Sequence, residues 1–140
     1  MMSSFVVLLA DDDEDDRFLT EQACLAIRSC GGLRFVEDGE ELMHYLRRSG
    51  KYADDTLFPL PSLILLDLNM PRKNGRQVLV EIKSDPYLHK IPVVIWTTSR
   101  ENEDKSFCRE AGADIFVTKP PSFPEWLANI RKVVVRYSSK

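Results

Sequence analysis

Leu63-Ile64-Leu65-Leu66-Asp67-Leu68-Asn69-Met70-Pro71-Arg72-Lys73-Asn74-Gly75 runs four apolar residues straight into one carboxylate. A polar residue, a proline and a glycine that opens the next helical pattern then follow. An unbroken apolar run of this length reads as a strand buried on both faces, the signature of a parallel sheet in an α/β protein. Asp67 therefore falls at the carboxyl end of a central strand, the edge where open α/β sheets bind their ligands. An aspartate there also serves as an ordinary turn or cap residue. What the other strand ends carry decides between the two readings.

Five strand-like runs alternate with helical patterns. Phe5 to Ala10 comes first, and a helix over about residues 15–29 follows, carrying Phe18, Leu19, Ala23, Ala26 and Ile27. Gly31-Gly32 is expected to stop that helix. A short strand over residues 33–36 leads to a helix over about 40–48, with Leu42, Met43, Tyr45 and Leu46 turned inward. Residues 49–62, with Gly50, Asp54-Asp55, Pro59 and Pro61, are loop chemistry. After the strand ending at Asp67 comes a helix over about 76–84, ended by Asp85-Pro86 because a residue before proline leaves the helical region. Val93-Val94-Ile95-Trp96 is the fourth strand and Ile115-Phe116-Val117 the fifth. Helices over about 101–111, ending at Gly112, and 122–137 complete the pattern. This βα alternation predicts a three-layer, doubly wound parallel sheet with right-handed connections.

At 140 residues the chain has the size of one domain, with neither internal repeat nor linker. Hydrophobic residues at 44% and charged residues at 29% are those of an ordinary globule. The net charge of -3 argues against a nucleic-acid partner, which calls for a basic footprint. No apolar run approaches the roughly 20 residues of a membrane span. The N-terminus lacks the basic segment of a signal peptide. Cys24, Cys30 and Cys108 are odd in number without CxxC spacing, so reduced packing thiols in a cytosolic protein are expected.

Chemistry-bearing residues follow the strands directly: Asp11, Asp12 and Asp13 after the first, Asp67 after the third, Thr97, Thr98 and Ser99 after the fourth, Thr118 and Lys119 after the fifth. In a parallel sheet these ends share one edge. Adjacent strands lie about 5 Å apart, so carboxylates from strands one and three share a pocket if those strands are neighbours. Crowded carboxylates call for a hard divalent cation. With Lys119 and the Thr97 hydroxyl, such a pocket suits a phosphoryl group on Asp67.

Blander assignments compete. Asp13 to Asp16 are favoured at a helix N-terminus by capping and the macrodipole, and are expected mostly to serve there. The acidic run mimics a calcium loop, but Asp16 stands where that loop needs glycine and Gln22 where it needs glutamate. Lys119-Pro120-Pro121 also suits a plain strand-to-helix turn. His44 and His89 read as surface or packing residues, and Trp96, Phe116 and Trp126 as core aromatics first.

The acidic pair Asp11-Asp12, the stretch Asp67-Leu68-Asn69-Met70-Pro71 with Gly75, Thr97 and Lys119-Pro120 together resemble the response-regulator receiver domain of the CheY-like superfamily. The resemblance spans nearly the whole chain and implies a flavodoxin-like (βα)5 fold with strand order 2-1-3-4-5. It places the phosphoacceptor at Asp67, the direct magnesium ligand at Asp12 with Asp11 beside it, and a backbone-carbonyl ligand at Asn69. Thr97 and Lys119 take the phosphoryl-contacting positions and Phe116 that of the switch aromatic. Tyrosine is common at the last position, so a step needing a phenolic hydroxyl is absent. Asn69 and Ser99 fall where they flank the attacking water and tune phosphoryl lifetime.

The implied protein is a cytoplasmic two-component regulator, one receiver domain over residues 1–140 without an effector domain. It is loaded by a sensor histidine kinase or a phosphotransfer protein, with Mg2+, or Mn2+ in its place. It turns over no external substrate. The long 49–62 connection resembles that of single-domain receivers serving phytochrome-type or hybrid sensor kinases. The expected output is the helix–strand–helix face over residues 101–137, acting on a protein partner or a second copy, with Arg109, Arg131 and Arg136 as candidate contacts. Two alternatives differ in class. A haloacid-dehalogenase-type phosphatase needs an acid two residues after the nucleophile, where Asn69 stands. A flavodoxin-like cofactor binder wants a phosphate-cradling loop after strand one, where six consecutive acids stand.

Overall fold

The computed structural model describes residues 4–139; Met1, Met2 and Ser3, on which the expected lack of a leader partly rests, lie outside them. Five strands, β1 (Val6–Ala10), β2 (Gly32–Val36), β3 (Leu63–Leu66), β4 (Val93–Thr97) and β5 (Ile115–Thr118), alternate with α1 (Glu14–Leu25), α2 (Gly39–Leu46), α3 (Gly75–Ser84), α4 (Asn102–Ala111) and α5 (Phe123–Ser138). All strand pairs are parallel, in the order β2-β1-β3-β4-β5. This is the flavodoxin-like doubly wound α/β fold. Among the described residues no helix is long and apolar enough to cross a membrane.

The period of two along each strand splits the core between the faces. Leu8, Ala10, Ile64, Leu66, Val93 and Ile95 join Leu42, Leu79, Ile82 and Cys108 on the side of α2, α3 and α4. Val7, Leu9, Leu63, Leu65, Val94 and Trp96 join Ala23, Ile27, Trp126, Ile130 and Val134 on the side of α1 and α5. Covered on both faces, β3 and β4 are buried at every residue, which is why they read as continuous apolar runs.

Three expectations need correction. The first helix ends at Leu25, well before Gly31-Gly32, because its last turn tightens: Ala26 and Ile27 donate N–H bonds three residues back, to Ala23 and Cys24. The turn this creates brings Cys24 and Cys30 to a Cα–Cα distance of 5.8 Å, and they form a disulfide rather than two free thiols. Only Cys108 among the cysteines is free, and it is buried. Residues 49–62 are also more than a loop. A 3-10 helix (Gly50–Ala53) buries Tyr52, whose ring stands 5.0 Å from Tyr45 and 4.8 Å from Phe58. The Tyr45 hydroxyl donates to the Pro59 carbonyl at 2.7 Å, so the segment packs as a small aromatic cluster beside β2.

Candidate functional site

Ala10 of β1 and Leu66 of β3 are register partners, so Asp11 and Asp67 leave the sheet side by side. The Asp67 N–H bonds Ala10 O at 3.0 Å and the Asp11 N–H bonds Val36 O at 3.1 Å, continuing the ladder one step past the strands. The chain leaves β1 toward β2 on one side and β3 lies on the other, which makes this crevice the topological switch point of the sheet. Asp11, Asp12 and Asp67 each offer one carboxylate oxygen there, all within 4.8 Å of one another. Asp11 and Asp67 are buried and Asp12 is exposed at the mouth.

Lys119, the first residue after β5, reaches across the pocket and is itself buried. Its Nζ lies 2.7 Å from Asp11 Oδ2, 2.7 Å from Asp16 Oδ2 and 3.4 Å from Asp67 Oδ2. Burial pushes the lysine pKa down, yet the surrounding carboxylates more than offset this and hold it above the ordinary lysine value. Burial lifts Asp11 to about 6 against the opposing pull of Lys119. Three carboxylates, Asp11, Asp16 and Asp67, thus face one ammonium, and Asp12 adds a further hard oxygen donor at the exposed mouth. That donor set fits a divalent cation of the magnesium or manganese kind.

The β3–α3 connection shapes the other wall. Asn69 is exposed and its N–H points at Asp67 Oδ1 at 3.3 Å. Asn74 caps α3 by accepting from the N–H groups of Arg76 and Gln77, and the Gln77 side chain accepts from Asn74 N–H, closing a capping box. Gly75 starts the helix directly against the Asp67 carbonyl. Thr97 is fully buried at the end of β4, and its carbonyl accepts the Lys119 N–H at 2.7 Å. The Thr97 hydroxyl oxygen accepts from Ser99 N–H at 3.4 Å, which leaves its own proton free for a group in the pocket. Phe116 pairs with Ile95 in the β4–β5 register and is half-buried. It lines a cavity of about 310 Å³ with Lys105, Cys108 and Thr118 between α4 and β5.

Two contacts escaped the sequence reading. The sequence places Asp16 with its neighbours at the helix N-terminus; Asp13 does cap α1, but Asp16 turns its carboxylate onto Lys119. Ser99 stands at a junction: its hydroxyl donates to Asp104 Oδ2 at 2.6 Å, and Arg76 of α3 grips Asp104 Oδ1 from Nε at 3.0 Å and Nη2 at 2.7 Å. The Ser99 bond, against the cost of burial and with help from Arg76, holds the Asp104 carboxyl below its usual range. Of the arginines proposed as output contacts, Arg109, Arg131 and Arg136 are all exposed, but Arg131 Nη2 points at Ala26 O, 3.5 Å away beyond α1, and so belongs to the α1–α5 side.

A stability prediction attaches to this junction. Asp104→Asn is expected to cost about 2 kcal/mol at neutral pH, as befits hydrogen bonds to a buried charged group. Because the folded-state pKa of Asp104 is depressed, its contribution is present above the ordinary carboxylate range and is lost as pH falls through the lowered value. Urea unfolding of both proteins should show a gap at neutral pH that closes in acid. A gap independent of pH would mean that packing, not the charge, carries the effect.

Fold and pocket together define a doubly wound α/β protein with a carboxylate–lysine centre at its switch point. The family model for the response regulator receiver domain matches residues 7–131, and the chain belongs to that family. It is 39% identical over 114 residues to the response regulator Rcp1 of Synechocystis sp. (strain ATCC 27184 / PCC 6803 / Kazusa), covering 81% of this chain and 76% of Rcp1. The crystal structure of the phosphorylated cyanobacterial phytochrome response regulator RcpA superposes with a TM-score of 0.89 at 35% identity, over 96% of this chain and 94% of RcpA. The Mn(2+)-bound form of Rcp1 superposes with a TM-score of 0.81 at 35% identity, over 92% and 91% of the two chains. The protein is a CheY-like response regulator of the two-component class, and nothing in these likenesses supports the phosphatase reading.

Proposed function

We propose that the chain accepts a phosphoryl group on Asp67 from a sensor histidine kinase or a phosphotransfer protein and passes the signal on through the face formed by α4, β5 and α5. The observation that carries this reading is the convergence of Asp11, Asp12, Asp67 and Lys119 at one edge of the sheet. A carboxylate oxygen of Asp67 attacks the phosphorus of a phosphohistidine. The new O–P bond forms as the N–P bond breaks, and the donor imidazole leaves with the electron pair and takes up a proton. Lys119 stands ready to pair with one phosphoryl oxygen and the Thr97 hydroxyl to donate to another. Asp11, Asp12 and Asp67, with the Asn69 carbonyl, would hold magnesium, whose charge neutralises the phosphoryl oxygens when bound.

Thr97 is drawn toward the new phosphoryl oxygen, and Phe116 turns into the space it vacates. The phosphoryl group biases the switch because it contacts Thr97 in one state only. Asn69 and Ser99 flank the way in for the hydrolytic water and set the lifetime of the mark. Similarity to RcpA, a cyanobacterial phytochrome response regulator, supports a phytochrome-type kinase as the donor, and membership of the receiver-domain family supports the cytoplasm as the setting. A phosphotransfer panel against purified sensor kinases tests the reading; failure of every kinase and of acetyl phosphate to label the chain would overturn it. The metal set has its own check. Trp96 lies buried directly before Thr97, so its fluorescence should report a magnesium titration. Asp12→Ala should weaken magnesium at least tenfold, on the order of one coupled charge contact. Unchanged affinity would remove Asp12 from the set.

A further inference from the structure

An ammonium has three protons to donate and no acceptor capacity. In Lys119 two of them go to Asp11 and Asp16 at 2.7 Å each, while Asp67 is left with a long contact of 3.4 Å. Asp16 is thus bonded as closely as the buried neighbour of the phosphoacceptor, although it comes from the first turn of α1 rather than from a strand end. Its placement is firmly built. The Asp16 N–H bonds Asp13 Oδ1 at 3.0 Å, the Asp16 carbonyl accepts from the Thr20 hydroxyl at 3.0 Å, and Thr20 in turn accepts from the indole N–H of Trp126 in α5 at 3.0 Å. Thr20 and Trp126 are both buried. Glu14 and Asp15, the other acids of that turn, are exposed and suffice for the helix dipole.

We infer that Asp16 is a positioning residue for Lys119, holding the ammonium back from Asp67 and offsetting its charge until an anionic group on Asp67 competes for it. The consequence is a pair of effects of opposite sign. With Asp16 present, the lysine charge is partly balanced, which favours a cation among Asp11, Asp12 and Asp67. It also raises the cost of moving the ammonium to a phosphoryl oxygen. Removing the Asp16 charge should weaken magnesium and strengthen an anion on Asp67. A side chain that only supports the helix would move both affinities the same way or neither.

Asp16→Asn keeps the shape and deletes the charge. Magnesium affinity, read from Trp96 fluorescence, is expected to fall about tenfold, and beryllofluoride at saturating magnesium to bind about tenfold tighter. Asp16→Glu should restore much of both. Asp15→Asn is the control for the general field of the acidic turn, and should do neither. In a Lys119→Met background the magnesium effect of Asp16→Asn should shrink to that of the control, since the two residues are coupled and their effects are not additive. Equal magnesium losses in the two backgrounds, or an Asp15→Asn effect as large as that of Asp16→Asn, would overturn the inference. Only the beryllofluoride arm rests on Asp67 as acceptor. If the wild-type chain binds no beryllofluoride, the proposed function fails, while the magnesium cycle still decides whether Asp16 acts through Lys119.

Discussion

Asp67→Asn is expected to abolish labelling by acetyl phosphate and magnesium, leaving an intact mass with no phosphoryl addition under conditions where the parent chain should gain one. The amide nitrogen is no nucleophile, and its oxygen carries no charge with which to attack phosphorus or to hold a cation. The loss should not come from misfolding. Asp67 stands among like charges, and its own charge adds to the upward push on Asp11, so neutralising it relieves repulsion. Lys119 keeps Asp11 and Asp16 as closer partners. The variant should therefore unfold at a denaturant concentration at least equal to that of the parent. An Asn variant that labels at the parent rate would place the acceptor elsewhere.

Gly75→Ala is the second large effect, and here two physical terms oppose each other. Within a helix alanine is favoured over glycine by up to about 1 kcal/mol. At this position, however, a Cβ would lie 2.2 Å from the Asp67 carbonyl oxygen and 2.7 Å from Leu68 Cα. Both are backbone atoms that no rotamer change moves aside. Sterics win, and the substitution is expected to destabilise by about 3 kcal/mol or more. It should also displace the loop that carries Asp67 and Asn69, slowing phosphoryl uptake. Gly50→Ala supplies the contrast. Gly50 has a φ of +57° and open space around the added methyl, so only the left-handed backbone cost of about 1–2 kcal/mol applies. If denaturant unfolding shows Gly75→Ala to be no worse than Gly50→Ala, close approach is not the reason for glycine at the start of α3.

The course of the chain could be read from residues 63–75 outward because burial on both faces leaves a plain record: β3 and β4 carry no polar residue until they end. Once the strands are parallel, Asp11, Asp67, Thr97 and Lys119 must emerge on one edge, since every strand enters from the same side. That is why local pattern alone brought together residues from four different strands. The neighbour relation of β1 and β3, on which the shared pocket depends, was not in the periodicity; it came from the resemblance, and the register Ala10–Leu66 bears it out.

What the tertiary structure alone decided depends on the reach of side chains between elements. Asp16 and Lys119 are 103 residues apart, and the acidic run offers no local sign of which carboxylate turns inward. That follows from the crossing of α1 over the sheet, fixed by Thr20 and Trp126. Arg76, Ser99 and Asp104 meet for the same kind of reason, at the junction of α3 and α4. The pairing of Cys24 with Cys30 turned on where α1 ends, a matter of one tightened turn that helix propensity does not resolve. Hydrophobic periodicity records which face of an element is buried; it carries no record of which polar groups the packing of those faces then brings within hydrogen-bonding distance.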